Sequence, residues 1–134
     1  MTDQSALAPR QLVILAALGA TLWFAAAVLI RVIGPMGVFE GTSRLWTYLL
    51  VIPGTLPFVV LVRHSAGLTS TQHGIGMAVG TATAALLDGI ALAWFPQLYG
   101  TSVVHVAAAG AVILWGAGVG MMLGFLLDAR ARRG

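Results

Sequence analysis

One acid lies inside an otherwise apolar run, Ala84-Ala85-Leu86-Leu87-Asp88-Gly89-Ile90-Ala91-Leu92-Ala93-Trp94-Phe95. In hydrocarbon such a group costs roughly 2.5–3.5 kcal/mol on insertion scales, so Asp88 must face protein or water, and it is a functional-site candidate by default. Two chemistries compete for it. As a neutral acid it donates a hydrogen bond to a freed backbone carbonyl, or engages Thr55 or Thr83. As a carboxylate it pairs with Arg31, whose long side chain can cover a vertical gap of about 7 Å. Proton carriage requires the neutral acid with access to water; a polar clamp between helices fits either state.

The stretch Ile52-Pro53-Gly54-Thr55-Leu56-Pro57 is the second candidate. Each proline removes an N–H and clashes with the carbonyl four residues back, so Pro53 and Pro57 predict a kink with freed carbonyls at Leu49 and Pro53. Its depth nearly matches that of Asp88. A broken helix beside an ionisable residue is one way a transporter builds a site, and a proline kink packed by its neighbours is the plainer alternative.

The remaining polar residues offer less. His64 and His73 flank one short connection and His105 lies near the other face, so no histidine pair meets at mid-span to hold a haem. A metal or haem at His64 and His73 is geometrically conceivable; interfacial histidines are the simpler reading, and no metal or cofactor is assigned. Glu40 reads as a surface ion pair with Arg31 or Arg44, or as a cap over a vestibule above Asp88. Trp23 and Trp115, both near mid-span, read as bundle-filling bulk rather than as ligand-stacking rings. With no catalytic dyad, phosphate loop or metal-ligand spacing, an enzyme is not expected. Cysteine and lysine are absent, which excludes disulfides, thiolate metal sites and Schiff-base chemistry.

The elements that must position these residues follow from composition. Of 134 residues, 59% are hydrophobic and 8% charged, and the mean hydropathy is +0.96. A soluble domain carries about a quarter charged residues, so lipid is the solvent for most of this chain. Four stretches, approximately 11–33, 45–62, 70–95 and 102–127, each supply the roughly 20 apolar residues that a crossing helix needs. The expected architecture is all-α: one integral domain over 1–134, a four-helix transmembrane bundle with short connections near 34–44, 63–69 and 96–101. Pro9 suits a first helical position, Gly34-Pro35 ends the first span, Thr69-x-x-Gln72 has capping-box spacing, and Thr101 or Ser102 can cap the fourth span.

Arginine placement gives orientation. Arg10, Arg63, Arg130, Arg132 and Arg133 fall on one side, Arg31 and Arg44 on the other, which places both termini in the cytoplasm. The first apolar stretch is long, its leader holds Asp3 and no small-residue cleavage site follows, so the first span is expected to remain as an anchor rather than a signal peptide. Trp46, Tyr48, Trp94, Phe95 and Tyr99 form an interfacial belt at the outer side. Gly76, Gly80 and Ala84 in the third span and Gly116, Gly120 and Gly124 in the fourth repeat every fourth residue, a pattern that lets backbones approach; the third and fourth spans are expected to touch closely in their cytoplasmic halves. The net charge of +3 sits at span ends, so Arg130, Arg132 and Arg133 suit anionic headgroups and not nucleic acid.

The segment Leu87-Asp88-Gly89-Ile90-Ala91-Leu92-Ala93-Trp94-Phe95-Pro96-Gln97-Leu98-Tyr99-Gly100 resembles one shared by a domain-of-unknown-function family of small four-helix bacterial membrane proteins. The resemblance implies a multi-pass protein of the bacterial inner membrane and brings no activity with it. In size the chain is also similar to small multidrug resistance transporters, but those use an essential Glu in the first span, and this first span has no acid. Two functions stay open. One is a non-catalytic accessory, assembly or self-associating subunit, present as a homo-oligomer or within a larger membrane complex. The other is a minimal oligomeric transporter or proton-linked carrier using Asp88 and the Pro53–Pro57 break. A water-lined cavity reaching Asp88 would favour the second, a dry Asp88 bonded to a neighbouring helix the first.

Overall fold

The computed structural model describes residues 6–134; Asp3 lies outside them. Four helices follow one another, α1 (Pro9–Ile33), α2 (Gly41–Ala66), α3 (His73–Trp94) and α4 (Val103–Ala131), with single 3₁₀ turns after α1 (Gly34–Met36) and α3 (Pro96–Leu98). Each helix is long and apolar enough to cross a membrane. The protein is therefore an all-α four-helix bundle of multi-pass type.

The ends have local causes. Pro9 occupies the first turn of α1, and Gln11 Oε1 accepts the Ala8 N–H at 2.9 Å. Gly67 (φ +60°) closes α2: its N–H reaches the His64 carbonyl while the Leu68 N–H reaches Arg63, the paired bonds that a left-handed residue makes possible. The second helix is longer at both ends than hydropathy alone predicts, because polar residues continue it beyond the apolar run. The third begins at His73 rather than at 70. Of the Thr69–Gln72 capping box the glutamine half forms, Gln72 Oε1 accepting the Thr69 N–H at 3.0 Å, while the Thr69 hydroxyl caps no amide of α3. Ser102 caps α4 by accepting the His105 N–H at 3.2 Å.

Helix α3 is central: its main neighbours are α1 and α4, and α2 leans mostly on α4. Two apolar clusters stack along the bundle. One lies toward the end that holds both termini, around Leu15, Val59, Val62, Leu68 and Met77. The other lies toward the opposite end, around Ala27, Ile30, Phe39, Ala91, Tyr99, Ala109 and Val112. Close backbone approach ties the helices together. A Cβ on Gly19 would overlap the Gly80 carbonyl and stand 3.1 Å from Thr83 Cβ, and one on Gly124 would stand 2.9 Å from the His73 carbonyl oxygen.

The glycine ladders are shared out differently from the expected single α3–α4 seam. Gly76 lies under Leu68 and Gly80 against α1, while Gly74, not Gly76, meets Gly124. Gly120 faces both Met77 of α3 and Thr55 of α2, Gly116 faces Val51 of α2, and Ala84 is half-buried. The physical reason is the position of α3: a central helix must spend small residues on two neighbours at once.

Candidate functional site

Asp88 sits about 9 Å from the end of α3, counting 1.5 Å for each of the residues to Trp94. It is 8% exposed. Its Oδ1 accepts two hydrogen bonds, from Trp23 Nε1 of α1 at 2.9 Å and from the Tyr99 hydroxyl of the α3–α4 connection. Trp23 Nε1 also lies 3.0 Å from the Tyr99 oxygen, closing a triangle of three side chains from three segments. Tyr99 is 1% exposed, and the 3₁₀ turn begun by Pro96 sets it one turn beyond the helix, folded back over Asp88. Burial first, and then the hydrogen bond to Asp88, raise its phenol above the ordinary value of 10.0.

The partners expected of Asp88 are elsewhere. Arg31 is exposed and makes no ion pair with it; it lines a cavity that Tyr99 also lines. Thr55 Oγ1 donates to the Val51 carbonyl at 2.6 Å and Thr83 Oγ1 to Val79 at 3.0 Å, each satisfied within its own helix. Pro53, Gly54 and Pro57 lie on the exposed face of α2, away from Asp88, and the helix runs through them unbroken. Trp23 is not bulk and Tyr99 is not an interfacial anchor. Both are the donors that a buried carboxyl demands, and desolvation of an unpaired acid is the force that selects them. A lone mid-span indole and a hydroxyl just past a proline stop were the signals.

Above Tyr99 lies a cavity of about 150 Å³ lined by Arg31, Gly34, Pro35, Phe39, Tyr99, Gly100, Thr101 and His105. His105 Nε2, of the cavity lining, stands 3.6 Å from Glu40 Oε1, and neither Arg31 nor Arg44 comes within ion-pair distance of Glu40. His105 Nδ1 is buried without a partner.

A second buried acid, at the other end of the bundle, went unread in the sequence. Asp128 lies one residue past the expected fourth span and is 5% exposed. Oδ1 accepts the His73 N–H at 2.8 Å, Oδ2 accepts the Gly74 N–H at 2.8 Å, and the His73 ring nitrogen Nδ1 stands 3.0 Å from Oδ1. An acid of α4 thus supplies the N-terminal cap of α3, where backbone amides lack helical partners and the dipole favours negative charge. His73 is therefore buried, not interfacial. Beside it Gln72 Nε2 donates to the Ala6 carbonyl at 2.8 Å, and Gln11 Nε2 reaches Ala66 and Gly67 carbonyls at 3.3 and 3.2 Å, tying the chain's start to the α2–α3 connection. Arg130, Arg132 and Arg133 are exposed at this same end. Among the described residues no three His, Cys, Asp or Glu side chains group as metal ligands.

Asp128 gives both carboxylate oxygens to internal donors and Asp88 gives Oδ1, and the geometry they make is that of clamps. No family model matches the chain, and neither a curated protein nor a solved structure matches it.

Proposed function

We propose that this protein is a non-catalytic accessory or assembly subunit of the bacterial inner membrane, with both termini in the cytoplasm. The observation that carries the reading is the closed Trp23–Asp88–Tyr99 triangle: the acid nearest mid-span gives its Oδ1 to two donors of its own chain. Proton transport needs a group that can exchange with water on either side. Below Asp88, α3 offers no titratable side chain until His73, roughly 22 Å away at 1.5 Å per residue. Thr83, on the way, is bonded to its own helix. The arginine distribution supports the orientation, the exposed Arg130, Arg132 and Arg133 suit anionic headgroups, and the resemblance over 87–100 points to the same membrane.

The cavity over Tyr99 favours a second reading, an oligomeric carrier loaded from the Arg31–His105 side through Tyr99 to Asp88. Native mass measurement of the protein released gently from its own membrane separates the two. A stoichiometric foreign polypeptide is expected. A homo-oligomer alone, together with proton flux in vesicles that Asp88→Asn abolishes, would establish the carrier instead.

A further inference from the structure

Helix α2 turns two helix-interior prolines to the outside of the bundle at its middle. Pro53 has no N–H to give the Leu49 carbonyl, and Pro57 none to give the Pro53 carbonyl. Side chains do not replace them: Thr55 donates to Val51 and Trp115 to Tyr48, at 2.6 and 3.0 Å, and no other side-chain donor among the described residues reaches either oxygen. Leu49, Pro53, Gly54 and Pro57 are all exposed, and at Gly54 there is open space where a side chain would stand. Pro53 and Gly54 are the central pair of the 26-residue helix. This is the depth at which no water is present to serve a carbonyl, and a proline inside a spanning helix is tolerated there because neighbouring helices or side chains serve the groups it frees.

We propose that the Leu49–Pro57 face of α2 docks a transmembrane helix of a different protein, one that brings a hydroxyl, amide or indole donor to mid-membrane depth. The complementarity is electrostatic: two adjacent carbonyl oxygens with negative partial charge call for N–H or O–H groups, and the notch at Gly54 lets a partner backbone come close enough to present them. A second copy of this chain does not fit. Its exposed mid-span donors are Thr21 and Trp115, and these already donate to the Ala17 and Tyr48 carbonyls. Thr81 is half-buried, one turn along α3 from Met77, on the side that meets Gly120 and Gly124 of α4. The inference rests on the reading of the protein as a subunit and names the chemistry of its partner.

The double variant Pro53→Ala/Pro57→Ala returns an N–H to each carbonyl, and alanine favours helix, so lost association cannot be blamed on a lost bundle. With the stoichiometric partner in hand, association in lipid of increasing dilution should weaken roughly ten-fold in the double variant, two hydrogen bonds being removed. The chain has no cysteine, so Gly54→Cys places one thiol on this face and Leu86→Cys one on an exposed face of α3. A membrane-soluble reagent that alkylates the thiol at one end and at the other carries a photoactivated diazirine, whose carbene inserts into a neighbouring C–H, N–H or O–H bond with loss of N2, should join the same partner to Gly54→Cys and not to Leu86→Cys. A double variant that holds its partner as tightly as the native chain overturns the proposal while leaving the subunit reading intact. So does crosslinking from Leu86→Cys alone, or a self-dimer through Gly54→Cys. A native chain that releases no foreign partner at all overturns both.

Discussion

Asp88 is held by what it accepts, and this makes its charge dispensable while its oxygen is not. In Asp88→Asn the amide oxygen still accepts from Trp23 and Tyr99, so stability should stay within about 1 kcal/mol of the native chain. Asp88→Leu leaves the buried Tyr99 hydroxyl without an acceptor and should cost about 1–3 kcal/mol; equilibrium unfolding in detergent measures both, and an unchanged leucine variant would refute the clamp. Tyr99 adds a pH signature. Its phenol is raised above 10.0 by burial and by Asp88, so its contribution is complete below the unfolded value and is lost as pH climbs toward the folded one. Unfolding free energy should be level to about pH 9.5 and then fall, with the fall reduced in Tyr99→Phe. At the other end, Asp128→Ala strips the cap from His73 and Gly74 and should cost about 2 kcal/mol, the upper range for a lost N-cap, read by the same unfolding measurement.

At the scale of the helix, glycines are unequal although the sequence prints them alike. Gly19→Ala forces a methyl into the Gly80 carbonyl and the Thr83 side chain, and backbone cannot yield cheaply. It should destabilise the bundle by about 1–3 kcal/mol. Gly110→Ala meets nothing within 4 Å and should be neutral or slightly stabilising. Melting the two variants side by side tests the assignment of the α1–α3 seam. Much of the element plan was legible, because a run of some twenty apolar residues has few alternatives to a crossing helix. The α1 and α4 boundaries were close, since Pro9, Gly34-Pro35 and Ser102 are local stop and start signals. The site was legible only in its centre. Asp88 announces itself by its cost; which donors meet that cost depends on how α1 turns about its axis and how the chain folds back after Pro96, and no local pattern encodes either. Asp128 was hidden by its neighbourhood, an acid beside three arginines at a helix end, where a solvated charge is the ordinary outcome. The Pro53–Pro57 motif was visible, but the face it occupies was set by α2 leaning on α4.

For the whole molecule, the arrangement places the Gln11–Gln72 knot, the Asp128 cap and the arginine tail at one end and the Tyr99 fold-back at the other. If the termini are cytoplasmic, a single cysteine introduced at Ser70 should be blocked by impermeant thiol reagent only in inverted vesicles, and one at Thr101 only in right-side-out vesicles. The reverse pattern would turn the bundle over.

The capping of α3 by Asp128 sets an order of events in biogenesis. The third helix is synthesised with two bare amides at its start, and the carboxylate that will cover them is made 54 residues after Gly74. Until then α3 has an incomplete terminus at the very face where it enters the bilayer. Docking of the Asp128 turn of α4 is therefore the step that completes the start of α3. A chain stopped just short of Asp128 would carry all four apolar segments and still present an unfinished helix to the quality-control proteases of the membrane.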